Sequence, residues 1–295
     1  MAIYLYRLFR DLFYKFVIHP LGLIARPVSR AEQLLSEDIR LKWEREQTLL
    51  KEQMVLKDTE EIKCMLQVGQ LQEDTCMSSN MQYYIAGVDI SFVKGDDVTA
   101  CAALVVLTFP KLEVVYSDCK MIELTKPYIP GFLGFREVPF LLELFNDLQQ
   151  RRPELMPHLV MVDGNGILHP REFGSACHLG VCLGLPCIGV AKKLFHVDGL
   201  EKNVEHHEKI ASLEKGGDTF PLVGSSGRVL GMALRSCSSS KNPIYVSPGH
   251  LVTMETATRL VHMCCKHRIP EPVRMADINS REYIRVRKQT DDGQG

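Results

Sequence analysis

The sequence predicts an α/β fold, a mixed β-sheet flanked by helices, from three features of its patterning. Runs rich in Val, Ile, Leu and Tyr follow one another at 84–92, 98–109 and 112–124. They are separated only by the turn signals Lys94-Gly95-Asp96-Asp97 and Phe109-Pro110-Lys111. Side chains of this type suit a pleated, half-buried surface, and connections this short join antiparallel neighbours, so the three runs read as a meander. Beyond them, helical and short apolar segments alternate, giving the order βββαβαβ of a sheet covered by helices.

Each later element has its own signal. Residues 135–152 place Phe140, Leu141, Leu144, Phe145 and Leu148 along one face, as an amphipathic helix requires. Residues 158–163 and 186–190 are short apolar strands, and 173–183 is the helix between them. A hairpin is expected from 229–235 with 242–247, then a helix over 253–267, then a basic tail. Upstream, residues 31–62 are the strongest helix signal in the chain. Strong helix formers dominate there, and Leu34, Leu35, Ile39, Leu41, Trp43, Leu49, Leu50, Met54 and Leu56 recur near helical spacing. Residues 63–82 lack periodicity and read as a linker. The expected organisation is therefore a non-domain extension at 1–30, a helix and linker at 31–82, one catalytic domain at 83–288 and a disordered tail at 289–295.

The extension is apolar and aromatic but broken by Arg7, Asp11, Lys15 and His19, four apart, which form one polar stripe on a helix that Pro20 stops. No uninterrupted stretch approaches the roughly 20 apolar residues that spanning requires. Charges also interrupt any signal-peptide core. Five basic residues against Asp11 alone fit an organellar, mitochondrial-type presequence or an interfacial helix lying on a membrane through residues 1–24; a plain extension stays equally open.

Composition narrows the function. Hydrophobic residues make up 45% and charged residues 24%, which excludes fibrous and wholly disordered chains. The net charge of −1 excludes coating nucleic acid by bulk electrostatics, yet leaves room for a nuclease with a short footprint. Ten cysteines without a C-x-x-C pair, several inside apolar runs, read as thiols in a reducing compartment rather than a zinc site or disulfide framework.

The carboxylates carry the chemistry. Asp89 interrupts the apolar run Tyr84-Ile-Ala-Gly-Val-Asp89, where an unpaired buried carboxylate is costly. Asp163 repeats the arrangement at the end of Leu159-Val-Met-Val-Asp163, followed by Gly164-Asn-Gly166. Glu137 follows Arg136 at the start of a helix, and Asp277 comes just after the last expected one. Any one of these acids alone reads more readily as a cap or salt bridge. Together at sheet ends they would make an oxygen-rich site suited to Mg²⁺.

Six segments then point to a family. Gly87-Val-Asp89-Ile-Ser91, Pro127-Tyr128-Ile129-Pro130-Gly131-Phe-Leu133-Gly-Phe-Arg-Glu137, Asp163-Gly164-Asn-Gly166-Ile-Leu-His-Pro170, Gly189-Val-Ala-Lys192, Val246-Ser-Pro-Gly-His250 and Arg268-Ile-Pro-Glu-Pro-Val-Arg274 resemble endonuclease V in its motif order. The resemblance covers about residues 83–288 and looks like the animal branch; residues 1–30 have no counterpart in it. It implies an RNase H-like fold and Mg²⁺-dependent hydrolysis of a phosphodiester near inosine, with Mn²⁺ able to substitute. It makes Asp89, Glu137, Asp163 and Asp277 the metal-site acids and Lys192 the residue that orients water or polarises phosphate, with Lys193 as the alternative. Pro127, Tyr128, Ile129 and Pro130 match a base-separating wedge. Gly131, Leu133, Gly164, Gly174 and Gly189 match a narrow base pocket, with Ser175 and Phe195 nearby.

His169 and His250 could touch phosphate or metal, although a lone His more often bonds structurally. His206 and His207 lie in a charged loop. Arg281, Arg285, Arg287 and Lys288 could contact phosphates. The expected activity is an endoribonuclease cutting single-stranded inosine RNA at the second bond 3′ to inosine, leaving 5′-phosphate and 3′-hydroxyl ends. Deoxyinosine DNA repair by the same site and an inactive inosine-RNA binder are the alternatives. A monomer without an obligate protein partner, in cytoplasm or nucleus (nucleolus included), completes the expectation.

Overall fold

The computed structural model describes residues 30–70 and 82–292. By backbone contacts residues 1–39 form one unit and 40–295 another, and of the first only 30–39, the opening turns of a helix, are described. That helix is α1 (Arg30–Glu52), followed by α2 (Glu60–Gln70). A meander of β1 (Tyr83–Phe92), β2 (Thr99–Phe109) and β3 (Val114–Glu123) leads into α3 (Leu133–Arg151) and a 3₁₀ turn at Pro153–Leu155. Then come β4 (Leu159–Asp163), α4 (Ser175–Leu183), β5 (Cys187–Ala191), α5 (Val204–Ala211), β6 (Thr219–Val223), β7 (Val229–Leu234), β8 (Ile244–His250), α6 (Met254–Met263) and α7 (Glu271–Asp292).

All strands join one sheet in the order β3-β2-β1-β4-β5-β8-β7-β6. β1, β4 and β5 run parallel at its centre, and antiparallel pairs flank them. The central strands are apolar on both faces because helices cover both. Ile85, Val105, Leu107, Met161 and Ile188 face Ile62 and Met65 of α2, Leu260 and Val261 of α6, and Val273 and Ala276 of α7. Ala86, Val88, Leu104, Val106, Val160 and Val162 face Val138, Leu141, Leu144 and Phe145 of α3 and Leu179 of α4. The start of α7 sits directly on β1: a Cβ on Gly87 would lie 1.9 Å from the Pro272 carbonyl oxygen. Only glycine permits that approach, and it fixes how α7 crosses the strand that carries Asp89.

Several expectations about element boundaries give way. The single helix expected over 31–62 is two, and residues 63–70 of the expected linker belong to α2. Tertiary bonds at 53–59 compete with helix continuation. The Asp58 carboxylate accepts from Thr253 N at 2.7 Å and from Thr256 Oγ1 at 2.7 Å, and Leu251 N donates to Val55 O at 2.6 Å. Thr59 Oγ1 then accepts from Ile62 N at 3.2 Å and starts the new helix. The charged loop around His206 and His207 is α5, capped by Asn203, whose side chain accepts from His206 N. Strand β6 went unread because Pro221 interrupts its pattern; it lies at a sheet edge, where proline is tolerated.

The expected basic tail is α7, which also extends through residues 289–292 of the stretch expected to be disordered. Asp277 accordingly lies inside a helix rather than after one. The extension at 1–29 and its amphipathic stripe lie outside the described residues. Among the described residues no helix is long and apolar enough to cross a membrane, and all nine cysteines are free thiols.

Candidate active site

Register brings the first two acids together. β1 and β4 are parallel neighbours with Val88 opposite Val162, so Asp89 and Asp163 leave the sheet at the same level. α7, seated across β1, adds Asp277. One oxygen from each of these three carboxylates lies within 4.8 Å of the others. They line a cavity of about 410 Å³ with Ser91, Phe92, Lys192 and Arg281.

Lys192, just past the end of β5, places Nζ 2.6 Å from Asp163 Oδ2 and 3.6 Å from Asp277 Oδ1. Burial works against its charge, but the bond to Asp163 and the neighbouring carboxylates outweigh that and raise its pKa. Lys193 points outward and is exposed, so Lys192 is the lysine of the pair that meets the acids. Arg281, one turn beyond Asp277, bonds its Oδ1 at 2.9 Å.

Two serines that sequence reasoning did not single out hold Asp89. Ser91 Oγ and the fully buried Ser280 Oγ donate to the same oxygen, Asp89 Oδ2, at 2.9 and 3.0 Å. The signal was spacing: Ser91 is two residues along the strand from Asp89, on the same face, and Ser280 is three along the helix from Asp277. Burial, then the Asp163 charge, push the Asp89 carboxyl up to about 6 against the pull of the Ser91 bond.

Glu137 stands just outside the three-carboxylate cluster, in the second turn of α3. Burial and then the Asp89 charge push it up to about 8, with Arg136 opposing. So many acids cannot all ionise side by side without added positive charge. Lys192 supplies part of it, and the all-oxygen donor set fits a hard divalent cation for the rest.

The raised carboxyls have a measurable consequence. A group whose pKa is higher folded than unfolded stabilises the fold below its unfolded value and loses that stabilisation as pH rises through the folded value. The buried His169 and His178, both lowered to about 4, act oppositely but finish titrating near neutrality. Between about pH 6.5 and 8.5, Glu137 should therefore dominate, with a loss of roughly 2 kcal/mol. Calorimetry of the metal-free protein should show Tm falling by roughly 5 °C over that window, and Glu137→Gln should flatten the slope. A slope unchanged in that variant would remove Glu137 as its source.

The other expected site residues divide. In the loop before α3, Pro127, Tyr128 and Pro130 are exposed, Tyr128 by 48%, but Ile129 is buried. The apolar tip expected of Ile129 is thus packed inward, and Tyr128 alone presents a ring. Gly131 turns with φ +81°, and Leu133, exposed, opens α3.

At the other glycines the direction a side chain would take is filled. A Cβ on Gly164 would lie 2.5 Å from Ser175 Oγ, on Gly174 2.3 Å from Asn165 O, and on Gly189 2.4 Å from Gly166 N. Their lack of side chains lets the Asp163–Gly166 turn pack between β5 and α4.

The histidines are structural in their contacts. His250 Nδ1 accepts from Val55 N at 3.2 Å, and His206 Nε2 pairs with the Tyr245 hydroxyl at 3.0 Å. His169 stacks on Phe195 and accepts from Arg171 N at 3.3 Å.

The sequence model of one family, Endonuclease V, matches residues 68–278. The chain belongs to the endonuclease V family. Mouse endonuclease V is 58% identical over 255 residues, 86% of this chain and 72% of that protein. Human endonuclease V is 57% identical over 243 residues, 82% of each chain. The crystal structure of the human endonuclease V catalytic domain superimposes with a TM-score of 0.79 at 52% identity, covering 86% of this chain and 98% of that one. Endonuclease V of Ciona intestinalis, bound to a 23mer DNA containing an inosine followed by a ribo-adenosine, gives 0.72 at 31% identity over 84% and 98%. The sheet is thus the RNase H-like sheet of the endonuclease V family, and the chain is a nuclease, a hydrolase of phosphodiester bonds.

Proposed function

We propose that this endonuclease V uses Mg²⁺, with Mn²⁺ able to substitute, to cut inosine-containing single-stranded RNA at the second phosphodiester bond 3′ to inosine. The products carry 5′-phosphate and 3′-hydroxyl ends. The observation that carries this reading is the cluster of Asp89, Asp163 and Asp277 with Lys192 in an open cavity, in a chain of this family.

Asp89, Asp163 and Asp277 would hold the metal, with Glu137 a fourth carboxylate that ionises once positive charge enters the cluster. When bound, the metal would lower the pKa of the attacking water and neutralise charge on the phosphate. Ser91 and Ser280 occupy one oxygen of Asp89 and thereby aim the other into the cavity. The Lys192 ammonium, already 2.6 Å from Asp163, lies where it can donate to a phosphate oxygen as negative charge develops there. Arg281 brings a second cation to the rim. Tyr128 offers an exposed ring against which a neighbouring base can stack.

Two points favour RNA. The Ciona relative's bound strand has a ribonucleotide directly 3′ to inosine, so a 2′-hydroxyl stands next to the bonds in question. Single strands also present unstacked bases at little cost to a protein whose net charge is −1. The second reading, cleavage of deoxyinosine DNA, uses the same site, and the DNA in that complex favours keeping it. Matched inosine RNA and deoxyinosine DNA, with and without Mg²⁺, on a denaturing gel should show RNA cut faster and only with metal. Faster DNA cutting would reverse the preference, and binding without products would overturn the activity.

A further inference from the structure

Helix α1 precedes the stretch matched by the family model, which begins at residue 68, and its inward face carries more than packing. Trp43, Gln47 and Lys51, four residues apart, share that face. Gln47 is only 4% exposed. Its Nε2 donates to Phe173 O at 2.9 Å and to Gly131 O at 3.3 Å, and its Oε1 accepts from Arg171 Nε. Arg171 in turn donates from Nη2 to Gly131 O at 2.9 Å, while its guanidinium stacks 3.9 Å from the Phe132 ring centre. Trp43 stacks on Phe135 at 5.3 Å and touches Phe132. Lys51 Nζ donates to Arg171 O at 2.8 Å and pairs with Glu172.

One amide side chain therefore ties together two loops that are far apart in sequence. The first is the Tyr128–Gly131 turn, and the second runs from His169 to Gly174. The first carries the Tyr128 ring to which the proposed function gives a base, and the second carries Gly174, which the family resemblance places at the base pocket. We infer that Gln47, backed by Trp43 and Lys51, is a positioning residue for inosine recognition: it sets the gap between the two loops that receive the base. The inference rests on the reading of those loops as the inosine site. A free amide could wander, but this one is buried with three partners; removing its donors takes the bond from Phe173 O, leaves Gly131 O held by Arg171 alone, and lets the loops part. The effect belongs to binding and base choice, because no atom of Gln47 reaches the carboxylate cluster by any described contact.

The test measures single-turnover cleavage and Mg²⁺-free binding of inosine RNA, and of the same RNA with guanosine or adenosine in place of inosine. Gln47→Leu keeps the bulk and removes all three bonds; Gln47→Glu removes only the donors. Leu49→Ala, on the exposed face of the same helix, is the control. Both Gln47 variants should bind inosine RNA about tenfold more weakly and narrow its preference over guanosine by about tenfold, with the cleavage rate at saturation within about threefold of wild type. Leu49→Ala should match wild type. The inference is overturned if either Gln47 variant keeps wild-type affinity and base preference, including the case in which only Tm or the active fraction falls. A wild-type protein with no inosine preference would instead overturn the reading on which it rests.

Discussion

Replacing Asp163 with Asn should reduce cleavage on the order of a thousandfold or more, with substrate binding kept within a few fold. The position explains the size. Asp163 ends β4, touches Lys192 at 2.6 Å and lies within ligand distance of both Asp89 and Asp277. The amide is nearly isosteric, so the turn through Gly164 survives while one negative oxygen of the cluster is lost. The Lys192 ammonium also loses its nearest counter-ion. Single-turnover rates with saturating RNA across a Mg²⁺ titration should give a much weaker apparent metal affinity as well as a lower plateau. A variant that cuts at wild-type rate at ordinary Mg²⁺ would sink the assignment of this cluster as the catalytic centre.

Lys192→Met should cost on the order of a hundredfold in rate and leave metal binding intact or tighter. Without the ammonium, Asp163 and Asp277 have lost a competitor for the metal, so Mg²⁺ should raise Tm more in this variant than in wild type. That pairing of slower chemistry with a larger metal-induced shift separates a phosphate-directed lysine from a merely structural one. Lys193→Met should lie within about twofold of wild type, since Lys193 is exposed and makes no contact with the acids. If Lys193→Met proved the damaging variant, the geometry at the end of β5 would be misassigned.

The parts of this molecule that were legible in its sequence are those where a residue type conflicts with its surroundings. Asp89 in an otherwise apolar strand and Asp163 at the end of another are such conflicts, and both lie in the cluster. The meander and the central strands were legible because period and length agree with burial. Asp277 was found by motif alone, and its helix was missed: α7 is so rich in charge that its buried apolar stripe is thin, carried by Val273, Ala276 and Ile284.

The break between α1 and α2 was illegible for another reason. Propensity favours helix throughout 31–62, and the chain leaves it only because Asp58 and Val55 meet partners almost 200 residues away. What packs against the missing side chains of Gly164, Gly174 and Gly189 was not legible either: it is Ser175 and the protein's own turn. Gln47 gave no signal at all, since a glutamine in an amphipathic helix is ordinary until its two carbonyl partners are in view.

The seating of α7 on β1 also sets an order of events during synthesis. Asp89 and Asp163 are translated early and sit in strands that pair with their neighbours, whereas Asp277 arrives on the last helix described. A chain made only as far as β8 holds two acids of the three and lacks Ser280, the hydroxyl that steadies Asp89. The three-carboxylate cluster is complete only when the C-terminal helix docks over Gly87. A nuclease built this way lacks part of its acidic cluster while its own chain is still being made, and a product that stops before α7 has neither Asp277 nor Ser280.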